Sequence, residues 1–187
     1  MLLKRRLPRI ESTPTQTNQG FEHLDPGALA VLRWLKANHV DFILVGPVAA
    51  AIRGQASGNG PVAIVPAPYR RNFERLARAL DAGDASIRLD GAGIGGDVDT
   101  TPTKLTAEKL ARGQLWTLRC GAYDLDIEGH IPGLESYQDL LYEASRFDPA
   151  PGLSVEVASP EDIEHCAHVR RTGSAPEIKI MRAATAS

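Results

Sequence analysis

The stretch Asp41-Phe-Ile-Leu-Val45-Gly46-Pro47-Val48-Ala-Ala-Ala-Ile52, continuing through Gly54 to Gly60 into Pro61-Val62-Ala63-Ile64-Val65, decides the fold. Asp41 to Val45 reads as a short strand whose apolar run marks it as buried. Gly46-Pro47 turns the chain into a helical run over 48–53. A glycine-containing loop then delivers Val62 to Val65, a second buried strand. The unit is therefore strand, tight turn, short helix, loop, strand.

The surroundings extend this alternation. Upstream, Asp25 caps a helix with Pro26 in its first turn. Leu29, Leu32 and Leu35 mark one face of that helix, widened by Val31 and Trp34. Downstream, Pro66, Pro68 and Tyr69 lead into a helix on which Phe73, Leu76, Ala77 and Leu80 share a face. Ser86 to Leu89 is a strand, and Lys104 to Arg112 a short helix. Gln114 to Arg119 and Ala122 to Glu128 form a hairpin about Cys120-Gly121. Ser136 to Ser145 is an amphipathic helix, and Leu153 to Val157 alternates as a strand. Ser159-Pro160-Glu161-Asp162 opens a last helix that runs to about Arg171. Alternating helices and strands indicate an α/β or α+β fold with one mixed sheet, because the hairpin excludes a purely parallel one.

Three regions follow: an N-terminal tail, 1–24, a folded domain, 25–171, and a C-terminal tail, 172–187. The N-terminal tail holds Lys4, Arg5, Arg6 and Arg9 without apolar periodicity and reads as disordered. Over the 187 residues the apolar share is 43%, enough for a core. With 21 basic and 23 acidic residues the net charge is −2, which gives no global attraction to nucleic acid or anionic membrane. No apolar run approaches the roughly 18 residues needed to cross a bilayer. Met1-Leu-Leu-Lys-Arg-Arg-Leu7 lacks the apolar stretch of a signal peptide. Cys120 and Cys166 form no CxxC pair and read as free buried thiols, consistent with a cytoplasmic protein.

In sequence the chain resembles the small nucleotidyltransferases of the polymerase-β-like superfamily, and within it the bacterial AbiEii-type toxin class. The stretches that carry the likeness are His39-Val-Asp-Phe-Ile-Leu-Val-Gly46, Ala49 to Arg53, Ile64-Val-Pro66 and Asn72-Phe-Glu-Arg-Leu-Ala77. They continue with Leu115-Trp-Thr-Leu-Arg119, Tyr123-Asp-Leu-Asp-Ile-Glu-Gly129, Ile131-Pro-Gly-Leu-Glu-Ser-Tyr137 and Val157-Ala-Ser-Pro-Glu-Asp162. They cover about residues 25–171 in the expected order.

The resemblance implies a defined chemistry. A glycine after the first strand, followed by glycine or serine, cradles a nucleoside triphosphate through backbone N–H groups. A D-x-D pair on the second strand and an acid on a neighbouring strand hold Mg²⁺ for nucleotidyl transfer. Gly46 matches the first glycine, but Pro47 stands at the second and has no N–H to offer. The D-x-D positions fall on Pro61 and Ala63, neither of which can ligate a metal. The third acid falls on Asp126, the candidate catalytic and metal residue. Asp124 and Glu128 share its strand face by the period of two and are the further metal candidates. A solvent-facing strand is the alternative reading of the three. Arg53, with Gly46, is the candidate for holding the nucleotide.

Other signals are weaker. Gly95-Gly-Asp-Val-Asp99 imitates a G-G-D-x-D motif, but no apolar strand supports it, and it reads as a loop. His130 could act near a phosphate or sit exposed. His165, Cys166 and His168 suggest a metal without a fourth ligand. Arg70, Arg71, Arg170 and Arg171 could bind phosphate or RNA, or simply face solvent.

Three functions remain open on these residues. One is a catalytically degenerate, toxin-like relative that binds a nucleotide, an RNA or an antitoxin-like protein. The second is an active Mg²⁺-dependent enzyme transferring a nucleotidyl group to RNA, protein or a small molecule, with Asp126 and either Asp124 or Glu128. The third is a small α/β interaction module.

Overall fold

The computed structural model describes residues 21, 23–55, 60–88, 104–134 and 136–173. In chain order the elements are α1 (Pro26–Ala37), β1 (Phe42–Val45), α2 (Gly46–Ile52), β2 (Val62–Pro66), α3 (Arg70–Ala82) and β3 (Ser86–Ile87). Then come α4 (Ala107–Ala111), β4 (Trp116–Cys120), β5 (Tyr123–Ile127), α5 (Tyr137–Glu143), β6 (Ser145–Ala150), β7 (Leu153–Val157) and α6 (Pro160–Thr172). The seven strands form one sheet in the order β3-β4-β5-β2-β1-β7-β6. It is mixed: β1 runs antiparallel to β2 but parallel to β7, and β2 runs parallel to β5. The α/β class and the mixed sheet expected from the sequence are therefore present.

The central position of β1 and β2 follows from their composition. Every residue of both strands is buried, as suits near-continuous apolar runs covered on two faces. Strand alternation assigns the covering helices to sides. Tyr123 touches Gly27 of α1, so α1 lies on the face of Tyr123, Leu125 and Ile127. Asp126 and Glu128 meet Arg170 of α6, so α6 lies on the opposite face, where it packs with α2.

The helix starts read at Asp25 and Ser159 are present as written, whereas the helix expected from Lys104 begins at Ala107, capped by Thr106. Asp25 accepts a hydrogen bond from the Gly27 N–H at 2.7 Å, and Ser159 accepts one from Asp162 at 3.1 Å. The hairpin turns at Gly121, whose φ of +62° suits glycine. α2 differs: it begins at Gly46 itself rather than after the Gly46-Pro47 turn, since proline tolerates a helix's first turn, where its missing N–H is not needed. Packing also starts ahead of α1. Leu24 is buried, Phe21 packs against the core and a His23 ring nitrogen bonds the Ala51 carbonyl.

β6 is absent from the sequence reading. Ser145-Arg-Phe-Asp-Pro-Ala150 carries two charges and a proline, and it is an edge strand paired to β7 with an irregularity between Phe147 and Ala150. Edges and bulges are where a sheet tolerates proline. The G-G-D-x-D string, Leu89 and most of both tails lie outside the described residues.

One buried polar residue ties the sheet entrance together. Asn72 of α3 is fully buried. Its amide donates to the carbonyls of Asp41 (2.8 Å) and Ala67 (3.0 Å) and its oxygen accepts from the Asp41 N–H at 2.8 Å. Asn72→Ala leaves the Asp41 N–H without its acceptor, while the Asp41 and Ala67 carbonyls keep the Ala67 and Tyr69 N–H donors at 2.9 Å, so it should cost about 2 kcal/mol, within the ~1–3 kcal/mol penalty for one unsatisfied buried group. Urea unfolding at constant m-value measures it.

Candidate functional site: a cleft closed by arginine

The parallel pairing of β2 with β5 sets the site. Ala63 is the register partner of Asp126, and neighbouring residues in register point to the same face. On the other side of β2, Val45 pairs with Ala63, so the chain leaves β1 at Gly46 directly beside them. A Cβ on Gly46 would lie 2.9 Å from the Ala63 Cβ, and φ there is +72°. Only glycine satisfies both the turn and the close approach. The result is a cleft of about 340 Å³ between α2, α6 and the sheet. Gly46, Pro47, Pro61, Ala63, Asp126, Glu128 and Arg170 line it, with Ile163 and Cys166 on the α6 side. The sequence candidates Gly46, Asp126 and Glu128 are thus brought together, beside Pro61 and Ala63.

Arg53 is placed elsewhere. Its guanidinium donates to the carbonyls of Ala158 (2.7 Å) and Val157 (3.2 Å) and lies over the Phe147 ring, so it secures the exit of β7. Asp124 lies on the Asp126 face of β5 but is not among the cleft-lining residues.

The strand face bearing the carboxylates is covered rather than solvent-facing. Asp126 is 0% exposed and Glu128 9%. Such groups need partners, since a buried unpaired charge is prohibitively costly. Arginines supply them. Arg170, in the last turn of α6, donates from Nη2 to Asp126 Oδ2 at 2.7 Å and from Nε to Glu128 Oε1 at 2.8 Å. Its Nη2 is also 2.7 Å from Glu128 Oε1. Arg88 donates from Nη2 to Asp126 Oδ1 at 3.2 Å and pairs with Asp124 through Nη1. Backbone pairing aims Arg88: its N–H donates to the Thr117 carbonyl at 2.8 Å, and the Thr117 hydroxyl donates to its carbonyl at 2.9 Å. Thr117 is the partner of Asp126 on β4. Arg119, opposite Asp124 in the hairpin, closes the network at 2.9 Å.

The electrostatics agree with this geometry. Burial pushes the Glu128 carboxyl above its ordinary value against the opposing pull of Arg170. Burial also works against the Arg170 guanidinium, but Glu128 and Asp126 outweigh it and hold its pKa above the usual arginine value. Burial pushes the Cys166 thiol up to about 12, so it is neither thiolate nucleophile nor ready ligand at neutral pH.

A divalent cation does not fit these residues. Pro61 and Ala63 offer no side-chain oxygen, and both oxygens of Asp126 and Oε1 of Glu128 already accept from guanidinium groups. Among the described residues no group of three or more His, Cys, Asp or Glu is placed to hold a metal. A His165 ring nitrogen bonds the Pro132 carbonyl at 2.6 Å. His130 is exposed. Arg88 and the pairing of Arg170 escaped the sequence reading, although three same-face acids in a strand that proves central demand nearby cations.

The fold is similar to that of a Thermotoga maritima protein described as a "putative nucleotidyltransferase", with a TM-score of 0.51 and 17% identity over 79% of this chain and 86% of that chain. The chain therefore has a nucleotidyltransferase-like fold. No family model and no curated protein matches it. Among the described residues no helix is long and apolar enough to cross a membrane.

Proposed function

We propose that this is a nucleotidyltransferase-fold protein that has lost metal-dependent transfer and acts by binding. The observation that carries the reading is Asp126, a fully buried carboxylate at the fold's acidic strand, held by Arg170 and Arg88. Phosphoryl transfer in this fold depends on metal charge to position the triphosphate and neutralise the developing charge. With Pro61 and Ala63 beside Asp126, the cleft offers apolar walls where further acids would be needed. The resemblance to AbiEii-type proteins supports two ligand classes, a nucleotide in the cleft and an antitoxin-like protein on the surface. The nucleotide is favoured, because the cleft's volume lies in the ~300–1,000 Å³ range of small-molecule sites.

Thermal unfolding with each nucleoside triphosphate, with and without Mg²⁺, tests the reading. A nucleotide at a hundred times its Kd adds about 2.7 kcal/mol of stability. The expected result is a shift that persists in EDTA. A shift that requires Mg²⁺ and disappears in Asp126→Asn, together with pyrophosphate release, would instead establish the active enzyme with Asp126 and Glu128. No shift with any nucleotide would leave the protein partner as the ligand.

A further inference from the structure

We infer that Arg170 is a tethered replacement for a metal ion: its guanidinium occupies the position between Asp126 and Glu128 at which a divalent cation would sit, and its removal re-creates a cation site. One nitrogen, Nη2, stands 2.7 Å from an oxygen of each carboxylate, the bridging arrangement a bound cation would make. A guanidinium is suited to the exchange. It stays charged at every relevant pH, and its fork satisfies two carboxylates with directed hydrogen bonds.

The placement is built into the fold. Arg170 is in the last turn of α6, where a cation complements the helix dipole. Cys166, one turn earlier, is buried against the cleft. Arg88 comes to the second oxygen of Asp126 from the other edge of the sheet. Two cations thus face the acids of the cleft, and an incoming divalent ion meets both repulsion and occupied oxygens. The inference rests on reading this cleft as the counterpart of a metal site, and it assigns to Arg170 the part of metal rejection that a single substitution relieves.

Mn²⁺ binding followed by electron paramagnetic resonance tests it on the full chain. Arg170→Gln is expected to bind Mn²⁺ at least about tenfold more tightly than the unmodified protein, since one short-range unit charge in partly solvated surroundings is worth this much or more. Arg170→Lys, which keeps the charge, is expected to stay near the unmodified level. The gain should vanish in Arg170→Gln combined with Glu128→Gln. If Arg170→Gln is recovered only unfolded, refolding with and without MnCl₂ replaces the titration, and recovery of circular dichroism only with the metal supports the inference. Equal Mn²⁺ affinity for Arg170→Gln and the unmodified protein, retention of the gain without Glu128, or failure to refold in either condition overturns it. These outcomes leave the metal-independent nucleotide shift, measured with Arg170 intact, as a separate result.

Discussion

Arg170→Ala is expected to cost about 3 kcal/mol of folding stability, the lower end of the ~3–5 kcal/mol range for breaking a buried ion pair. The lower end applies because the Arg170 side chain is 33% exposed, so solvent recovers part of the loss. The loss is still large because of what remains. Asp126, at 0% exposure, keeps only the longer 3.2 Å contact among the guanidinium pairs described above. Glu128 loses both donors that Arg170 provides. For a chain of this size ~3 kcal/mol lowers the melting temperature by about 6–12 °C. Arg70 is the internal comparison. It pairs with Glu74 at 2.9 Å with side chains 87% and 43% exposed, and Arg70→Ala should change stability by no more than about 0.5 kcal/mol. Similar losses for both variants would mean that the cleft network is as solvated as an ordinary surface pair. Scanning calorimetry of the two proteins side by side makes the comparison.

Gly129→Ala is expected to be at least as damaging, about 3 kcal/mol or more, or to prevent folding. Gly129 follows Glu128 as the chain leaves β5. A Cβ there would lie 2.1 Å from the Gly113 carbonyl carbon and 2.3 Å from its Cα and oxygen. These are backbone atoms, which no rotamer change can move aside. The adjacent hydrogen bond from the His130 N–H to the Gly113 carbonyl, at 2.8 Å, holds the two segments at that separation. Relief of the clash must therefore move the end of β5, and with it the Glu128 carboxylate that meets Arg170. Gly121→Ala separates this effect from backbone strain. Gly121 has a φ of +62° and open space around it, so its substitution carries only the left-handed penalty of about 1–2 kcal/mol. Chemical denaturation midpoints should rank the unmodified protein above Gly121→Ala, and Gly121→Ala above Gly129→Ala.

The distinction between local and long-range signals explains what the sequence disclosed. Asp25, Ser159 and Gly121 act within a few residues of themselves, and the cap or turn each indicates is present. The apolar runs at 42–45 and 62–65 announced buried strands through composition alone. β6 was hidden because Arg146, Asp148 and Pro149 resemble loop residues, while its strand character comes from pairing with β7. The carboxylates divide in the same way. The period of two places Asp124, Asp126 and Glu128 on one face, and that reasoning is local. Whether the face is solvated or covered depends on Arg88 and Arg170, which are 38 residues before Asp126 and 44 after it. No periodicity links positions so far apart. Arg53 failed to reach the cleft for a related reason: its course depends on the β7 carbonyls, placed beside it only by the parallel pairing of β1 and β7.

A crystal structure grown and soaked in MnCl₂ with a nucleoside triphosphate, recorded with anomalous scattering, addresses the replacement of metal by arginine most directly. The expected map shows the Arg170 guanidinium within hydrogen-bond distance of Asp126 and Glu128 and no anomalous peak between the carboxylates. Arg170 displaced from the cleft, with a manganese peak bridging Asp126, Glu128 and the nucleotide phosphates, would contradict it.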